Sequence, residues 1–173
     1  VGRFKASIES QTAQLAGNPS GTTFNGYFAA VVAGASANFK LRRATVGVRA
    51  GASVPTSQQM TIVMYRQTVR ASGTGLTNVV GTNMDMRGAA SATGGVDFTT
   101  AATAGTTGPT VTTASNASVG RFSFNTQSAF DIPWELLEEM VCDQGTANGI
   151  AFVNIGNALP ASHLFSLDLE WEE

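Results

Sequence analysis

LFSLDLEWEE, residues 164–173, alternates along almost its whole length. Phe165, Leu167, Leu169 and Trp171 fall on one side; Ser166, Asp168, Glu170 and Glu172 fall on the other. A period of two is the mark of a strand with one dry face and one wet face. A helix would sort the same residues every 3.6 positions and mix the two sets. The stretch therefore sets the fold class as β and makes the wet face acidic.

Working outward, the neighbouring segments repeat the theme. IAFVNI (150–155) reads as a buried strand between two turn clusters, DQGTANG (143–149) and GNALPAS (156–162). RFSFNTQ (121–127) alternates with Phe122 and Phe124 inward. QMTIVMYRQT (59–68) is apolar on both faces, as a central sandwich strand is. TVGVR (45–49) places Val46 and Val48 on one face, and AGASVPTS (50–57) is a turn cluster. Several short strands separated by Gly, Asn and Pro turns predict an antiparallel β-sandwich of jelly-roll type. No internal repeat points to a propeller or solenoid.

Two regions lack this pattern. Residues 1–40 spread Phe4, Ile8, Leu15, Phe24 and Tyr27 among Gly, Ser and Gln, with one short strand near YFAAVVA (27–33). They read as an N-terminal arm and first strand region ahead of a sandwich domain over 41–173. Residues 88–118 are mostly Gly, Ala, Ser and Thr, too small to bury much, and predict a long loop within 71–118. FDIPWELLEEM (130–140) supports two conformations. Asp131 and Pro133 suit a helix start, with Leu136, Leu137, Met140 and Val141 sharing a face. An extended PWEL turn followed by a strand fits equally well.

The 173 residues carry one cysteine, so no internal disulfide forms. No apolar run is long enough for a membrane-spanning helix, and the basic start VGRFKASIES has no apolar core of a secretory signal. Charge is lopsided. Residues 1–70 hold eight cations against Glu9, a net +7, whereas 131–173 hold nine acids and no cation. Three readings follow: a nucleic-acid or acidic partner, cancellation of the two halves within one sheet, or head-to-tail contact between subunits.

The chemistry-bearing residues do not assemble into an enzyme site. Glu135, Glu138 and Glu139 lie side by side in the chain rather than across a cleft, so glycosidase geometry is not expected. His163 is the single histidine, reads as an ordinary turn or surface residue, and has no partners for zinc or a GxSxG elbow. Cys142 reads as a small buried hydrophobe. NMDMRG (83–88) is a fragment of a calcium loop without its closing acid. KLRR (40–43) is too isolated a basic run to predict nucleic-acid binding. Asn116 and Ser118 form a glycosylation sequon of the kind that Ser/Thr-rich loops contain by chance. No catalytic, metal or cofactor residues are assigned.

The stretches TVGVRAGASVPTSQQMTIVMYR (45–66), RFSFNTQSAFDIPWELLEEM (121–140) and GTANGIAFVNIGNALPASHLFSLDLEWEE (145–173) resemble small structural proteins of tailed bacteriophages, especially those infecting actinobacteria. The resemblance implies a non-enzymatic virion protein on the capsid surface: a decoration or minor capsid protein. Its partner would be the major capsid protein, and the chain would form a homo-oligomer, with a trimer favoured. Contact with neither nucleic acid nor membrane is expected. The arm residues Arg3, Phe4, Lys5 and Ile8, together with Arg42, Arg43, Glu170, Glu172 and Glu173, are the expected partner contacts. The competing expectations are a minor tail or fibre-like module binding host-surface glycan through Trp134 or Trp171, and a carbohydrate-active enzyme.

Overall fold

Alternating sequences become strands because each pleat turns successive side chains to opposite faces. The computed structural model describes residues 2–9, 27–50, 55–72, 75–99, 110–111, 118–135, 137–160 and 162–173. Thirteen strands run through them: β1 (Arg3–Glu9), β2 (Tyr27–Val32), β3 (Phe39–Ala50), β4 (Gln59–Val69), β5 (Leu76–Val79), β6 (Thr82–Asn83), β7 (Gly95–Thr99), β8 (Thr110–Val111), β9 (Ser118–Asn125), β10 (Phe130–Pro133), β11 (Met140–Cys142), β12 (Gly149–Asn154) and β13 (His163–Glu172). The described residues contain no helix.

The strands form two antiparallel sheets. Sheet A has the order β10-β3-β13-β1-β6, with β11 continuing the β10 edge along β3. Sheet B has the order β5-β7-β2-β12-β4-β8, with β9 sharing the outer side of β4. The inner faces meet in one core. Phe4, Ala6 and Ile8 of β1, Phe165, Leu167, Leu169 and Trp171 of β13, and Ile62, Met64 and Phe152 of sheet B all belong to it. Phe28 of sheet B stacks on Phe165 of sheet A with ring centroids 4.7 Å apart. At the closed side of the sandwich, Phe122 of β9 stacks on Phe130 of β10 at 5.2 Å.

Three departures from the sequence reading stand out. Residues 3–9 are not a free arm. They are β1, paired along their length with β13, from Arg3 opposite Glu172 to Glu9 opposite Ser166. Phe4 and Ile8, expected as arm contacts to a partner, are buried in this chain's own core. Residues 10–26, with Leu15 and Phe24, lie outside the described residues. The Thr/Ala-rich region also contributes to the body: β7 is buried throughout, between β5 and β2, because Val96 and Phe98 enter the core. The rest of that region, 100–109 and 112–117 with Asn116, lies outside the described residues. His163 opens β13 and is 1% exposed, so it is no surface residue.

The FDIPWELLEEM segment is extended at its two ends, with Leu136 outside the described residues. β10 pairs with β3 from Phe130 opposite Val46 to Pro133 opposite Arg43, and the Trp134 N–H donates to the Arg42 carbonyl at 2.9 Å. A turn closed by Glu138 N–H on the Glu135 carbonyl (3.0 Å) then delivers β11 to the same edge.

Candidate interaction surface

β3 holds the key to the outer face of sheet A. Its inward residues are Phe39, Leu41, Ala44 and Val46, so the spacing jumps from two to three between Leu41 and Ala44. Opposite this gap, Trp171 pairs with Leu41 and Glu170 with Arg43, leaving Arg42 as one extra residue. This is a β-bulge, and it carries two consecutive arginines on the wet face. KLRR is therefore a sheet device. Each arginine has its own acid.

Arg42 is shared between Glu139, contacted through Nη1, and Glu172, 2.5 Å from Nη2. Arg43 grips Asp131 with Nε at 2.8 Å and Nη2 at 2.7 Å, and the Thr45 hydroxyl donates to the same carboxylate at 2.6 Å. Arg3 lies 3.3 Å from Glu172 and Lys5 4.0 Å from Glu170. Arg49 reaches Glu9 with Nε at 2.5 Å and Nη2 at 2.8 Å. Hydrogen bonds from these arginines pull the Glu9 and Glu172 carboxyls below their ordinary range. The bonds from Arg43 and Thr45 pull Asp131 down to about 2. The basic and acidic ends of the chain thus meet across strands of one sheet.

Glu173 is also committed within the chain. Its carboxylate accepts from the Trp171 indole N–H at 3.0 Å and the Ala92 N–H at 2.7 Å, and it contacts the Ser91 hydroxyl. Burial opposes its ionisation, but these donors hold its carboxyl below the ordinary value. Trp171 is fully buried, stacked on Phe4 at 6.2 Å and seated over Gly81, where a Cβ would stand 2.2 Å from the ring. Trp134 is partly buried against the core.

The remaining candidates are accounted for locally. The His163 ring accepts the Thr56 N–H at Nε2 (3.1 Å), and the cavity beside it, about 550 Å³, is lined by Val48, Pro55, Thr126 and Ser166 with no charged side chain. Burial pushes the Cys142 thiol up to about 11, so at neutral pH it is protonated and a poor nucleophile. In the 83–88 turn, Asn83 Oδ1 accepts the Asp85 N–H and Asp85 Oδ1 accepts the Arg87 N–H. Those oxygens hold the turn itself. Among the described residues no group of three or more His, Cys, Asp or Glu side chains is placed to hold a metal. Among them, too, no helix is long and apolar enough to cross a membrane.

Large apolar side chains in water are the feature that periodicity did not pick out. Leu137 is 90% exposed and adopts φ 76°, a conformation that costs a non-glycine residue about 1–2 kcal/mol. Its place in LLEEM made it look like part of a helix face. Val141 is exposed near it in sequence, Val119 is exposed on β9 of sheet B, and Met84 and Met86 are exposed beyond β6 at the other edge of sheet A. A cavity of about 750 Å³ opens beside Met84, walled by Phe4, Ala89 and Ala90 with Arg3 at hand.

No family model matches the chain, and no curated protein matches it.

Proposed function

We propose that this chain is a non-enzymatic structural protein of a phage virion, a jelly-roll sandwich that binds the outer surface of the capsid and stabilises the shell. In this reading its partners are the major capsid protein and further copies of itself. The strand order supports the jelly-roll part. β1-β13-β3-β10 in one sheet and β2-β12-β4-β9 in the other place successive strands alternately in the two sheets, except at β4 and β9, which pair as neighbours in one, as paired Greek keys do. β5–β8 would then be an insertion between β4 and β9.

The observation that carries the functional reading is the outer face of sheet A. It is a broad, ion-paired surface whose carboxylates are engaged by arginines of the same sheet. Such a surface suits wide polar contact with a shell. The burial of Trp171 and partial burial of Trp134 weaken the stacking platform that a glycan-binding fibre module requires. Glu139 is paired with Arg42, and none of the cavities beside His163, Phe4 or Lys5 is lined by Glu135, Glu138 or Glu139, which weakens the carbohydrate-active reading.

Co-sedimentation of the purified chain with undecorated phage capsid shells tests the proposal, with DNA-emptied shells alongside. Saturable binding at a fixed ratio per capsomer is expected. A chain that stays in the supernatant at all shell concentrations would overturn the capsid reading in favour of a tail or fibre component.

A further inference from the structure

His163 is the single histidine of the chain, and the fold takes it out of water: it opens β13 and is 1% exposed. Its ring turns inward because β13 alternates, and His163 falls in step with Phe165, Leu167 and Leu169. The turn that delivers it is closed by the His163 N–H donating to the Pro160 carbonyl at 3.1 Å. Ser162 just before it sits at φ 61°, a left-handed conformation that few non-glycine residues adopt.

Nε2 of the ring accepts the Thr56 N–H at 3.1 Å. An imidazole nitrogen accepts only while it carries no hydrogen, so the neutral ring keeps its hydrogen on Nδ1. A proton added at Nε2 would set two donors against each other in a buried place. The bond is also a tie between the sheets. His163 belongs to sheet A, whereas Thr56 lies in the stretch that enters β4 of sheet B, and that stretch is otherwise held to the end of β9. The Thr126 hydroxyl donates to the Thr56 carbonyl and accepts the Gln58 N–H at 3.0 Å, and the Asn125 side chain donates to the Ser57 hydroxyl at 2.9 Å.

The charged groups nearest the ring on its own sheet are Arg49 of β3, which grips Glu9 of β1, and Asp168 of β13, which takes the Ser7 hydroxyl. The pleat turns all three to the outer face of sheet A, away from His163. Pro55 and the 126–129 turn, which line the cavity beside the ring, are uncharged, as is every residue from 155 to 162. What a proton on Nε2 confronts is therefore the Thr56 N–H.

We propose that His163 is an acid-sensitive catch between the two sheets: protonation of its ring releases the Thr56 N–H and lets residues 55–58 move away from β13. That end of the sandwich then opens at the cavity of about 550 Å³, while the core stays closed. Only the released form takes a proton at Nε2, so acid favours release. A free imidazole titrates near 6.5, so the catch holds above about that pH, and each unit below it raises the released share about tenfold. The inference does not depend on capsid binding.

Solution NMR of the full chain tests it, because one histidine gives one imidazole signal. Amide exchange is followed from about pH 8 to about pH 5, across the range where histidine charges, with each rate taken relative to an unstructured peptide at the same pH. Protection of the Thr56 N–H should fall about tenfold per unit below about pH 6.5, in step with the imidazole, while Ala151 in β12 keeps its protection. His163→Gln should make Thr56 protection level with pH, since the glutamine carbonyl can accept the same N–H and takes up no proton. Should H163Q fail to fold, the Nε2 nitrogen shift of the unaltered chain, read beside Thr56 exchange in the same sample, decides alone. The proposal is overturned if Thr56 protection stays level in the unaltered chain, whether or not the ring gains its proton. It is equally overturned if that protection falls as steeply in H163Q, or is lost together with that of Ala151.

Discussion

The outer faces of the two sheets are built from opposite materials. On sheet A, arginines and carboxylates pair across β1, β13, β3 and β10, and the face stays wet. On sheet B, Tyr27, Ala30, Val32, Val63, Tyr65, Ala151 and Val153 form a second apolar cluster, each no more than 4% exposed. Both β2 and β12 are buried residue for residue. Sheet B is therefore dry on both sides along β2, β12 and the middle of β4, while its flanking β5 and β9 keep exposed residues, and sheet A is dry on one side. The charges of sheet A then act chiefly in register and solubility, while the apolar layers of sheet B act in stability, because exposed ion pairs contribute little and buried apolar area contributes much.

The largest effect expected from this contrast comes from putting a charge on the outer face of sheet B. Ala151 is completely buried there. An unpaired carboxylate at that position costs several kcal/mol, so Ala151→Asp should abolish the cooperative melt or leave the chain insoluble. A variant melting like the unaltered chain would show that this face is open to water. The shared core sets the scale for the next comparison. Trp171→Ala should cost about 3–5 kcal/mol in urea unfolding, the range for truncating a buried tryptophan. A loss well under that range would mean the indole is not a core residue.

Smaller again is the charge ladder. Arg42→Ala and Glu172→Gln remove one pair in common, and each also removes a second, with Glu139 and Arg3 respectively, so in a double-mutant cycle the double variant should lose less than the sum of the two single losses. Full additivity would mean the pair is geometric only. The smallest effect belongs to Asp131. Its folded value of about 2 lies below the ordinary 3.8, so its stabilisation is complete above about pH 4 and disappears as pH falls through about 2. The side chain is 40% exposed, so solvent screening limits the effect to less than about 1 kcal/mol. Asp131→Asn should flatten the acid limb of stability between those two pH values and leave it unchanged below. An acid limb identical to that of the unaltered chain would show that the Arg43 pair contributes nothing.

The same contrast explains what the sequence reveals. β13 is legible at a glance because one of its faces is wet, and wetness is what makes alternation visible. β2 and β12 show only apolar runs, since both their faces are dry. β1 does alternate through Phe4, Ala6 and Ile8, but the polar, glycine-rich residues that follow it made the whole region resemble an arm. In β7, Asp97 masks a buried strand: its carboxylate is 6% exposed, satisfied by Arg70 at 2.6 and 2.7 Å and by Asn78 at 2.7 Å. Those partners come from elsewhere in the chain, so no local window contains them. The ion-paired face was half legible. The lopsided charge was plain, but which arginine meets which acid depends on strand register. Leu137 was not legible, because a left-handed φ at a leucine follows from the turn closing on the sheet edge and has no residue signature.

The bulge at Arg42 also decides where β3 tolerates a change of length. Elsewhere in the strand, losing one residue turns every side chain beyond it to the wrong face. At Arg42 the extra residue has no partner on β13, so its removal leaves Leu41 opposite Trp171 and Arg43 opposite Glu170, as before. Shortening the strand there straightens it without exposing Phe39 or Leu41, and gives up the pairs of Arg42 with Glu139 and Glu172 and the Trp134 N–H bond to its carbonyl. In the middle of β3, then, the point where the chain can lose a residue and keep its register is also the point where it is most highly charged.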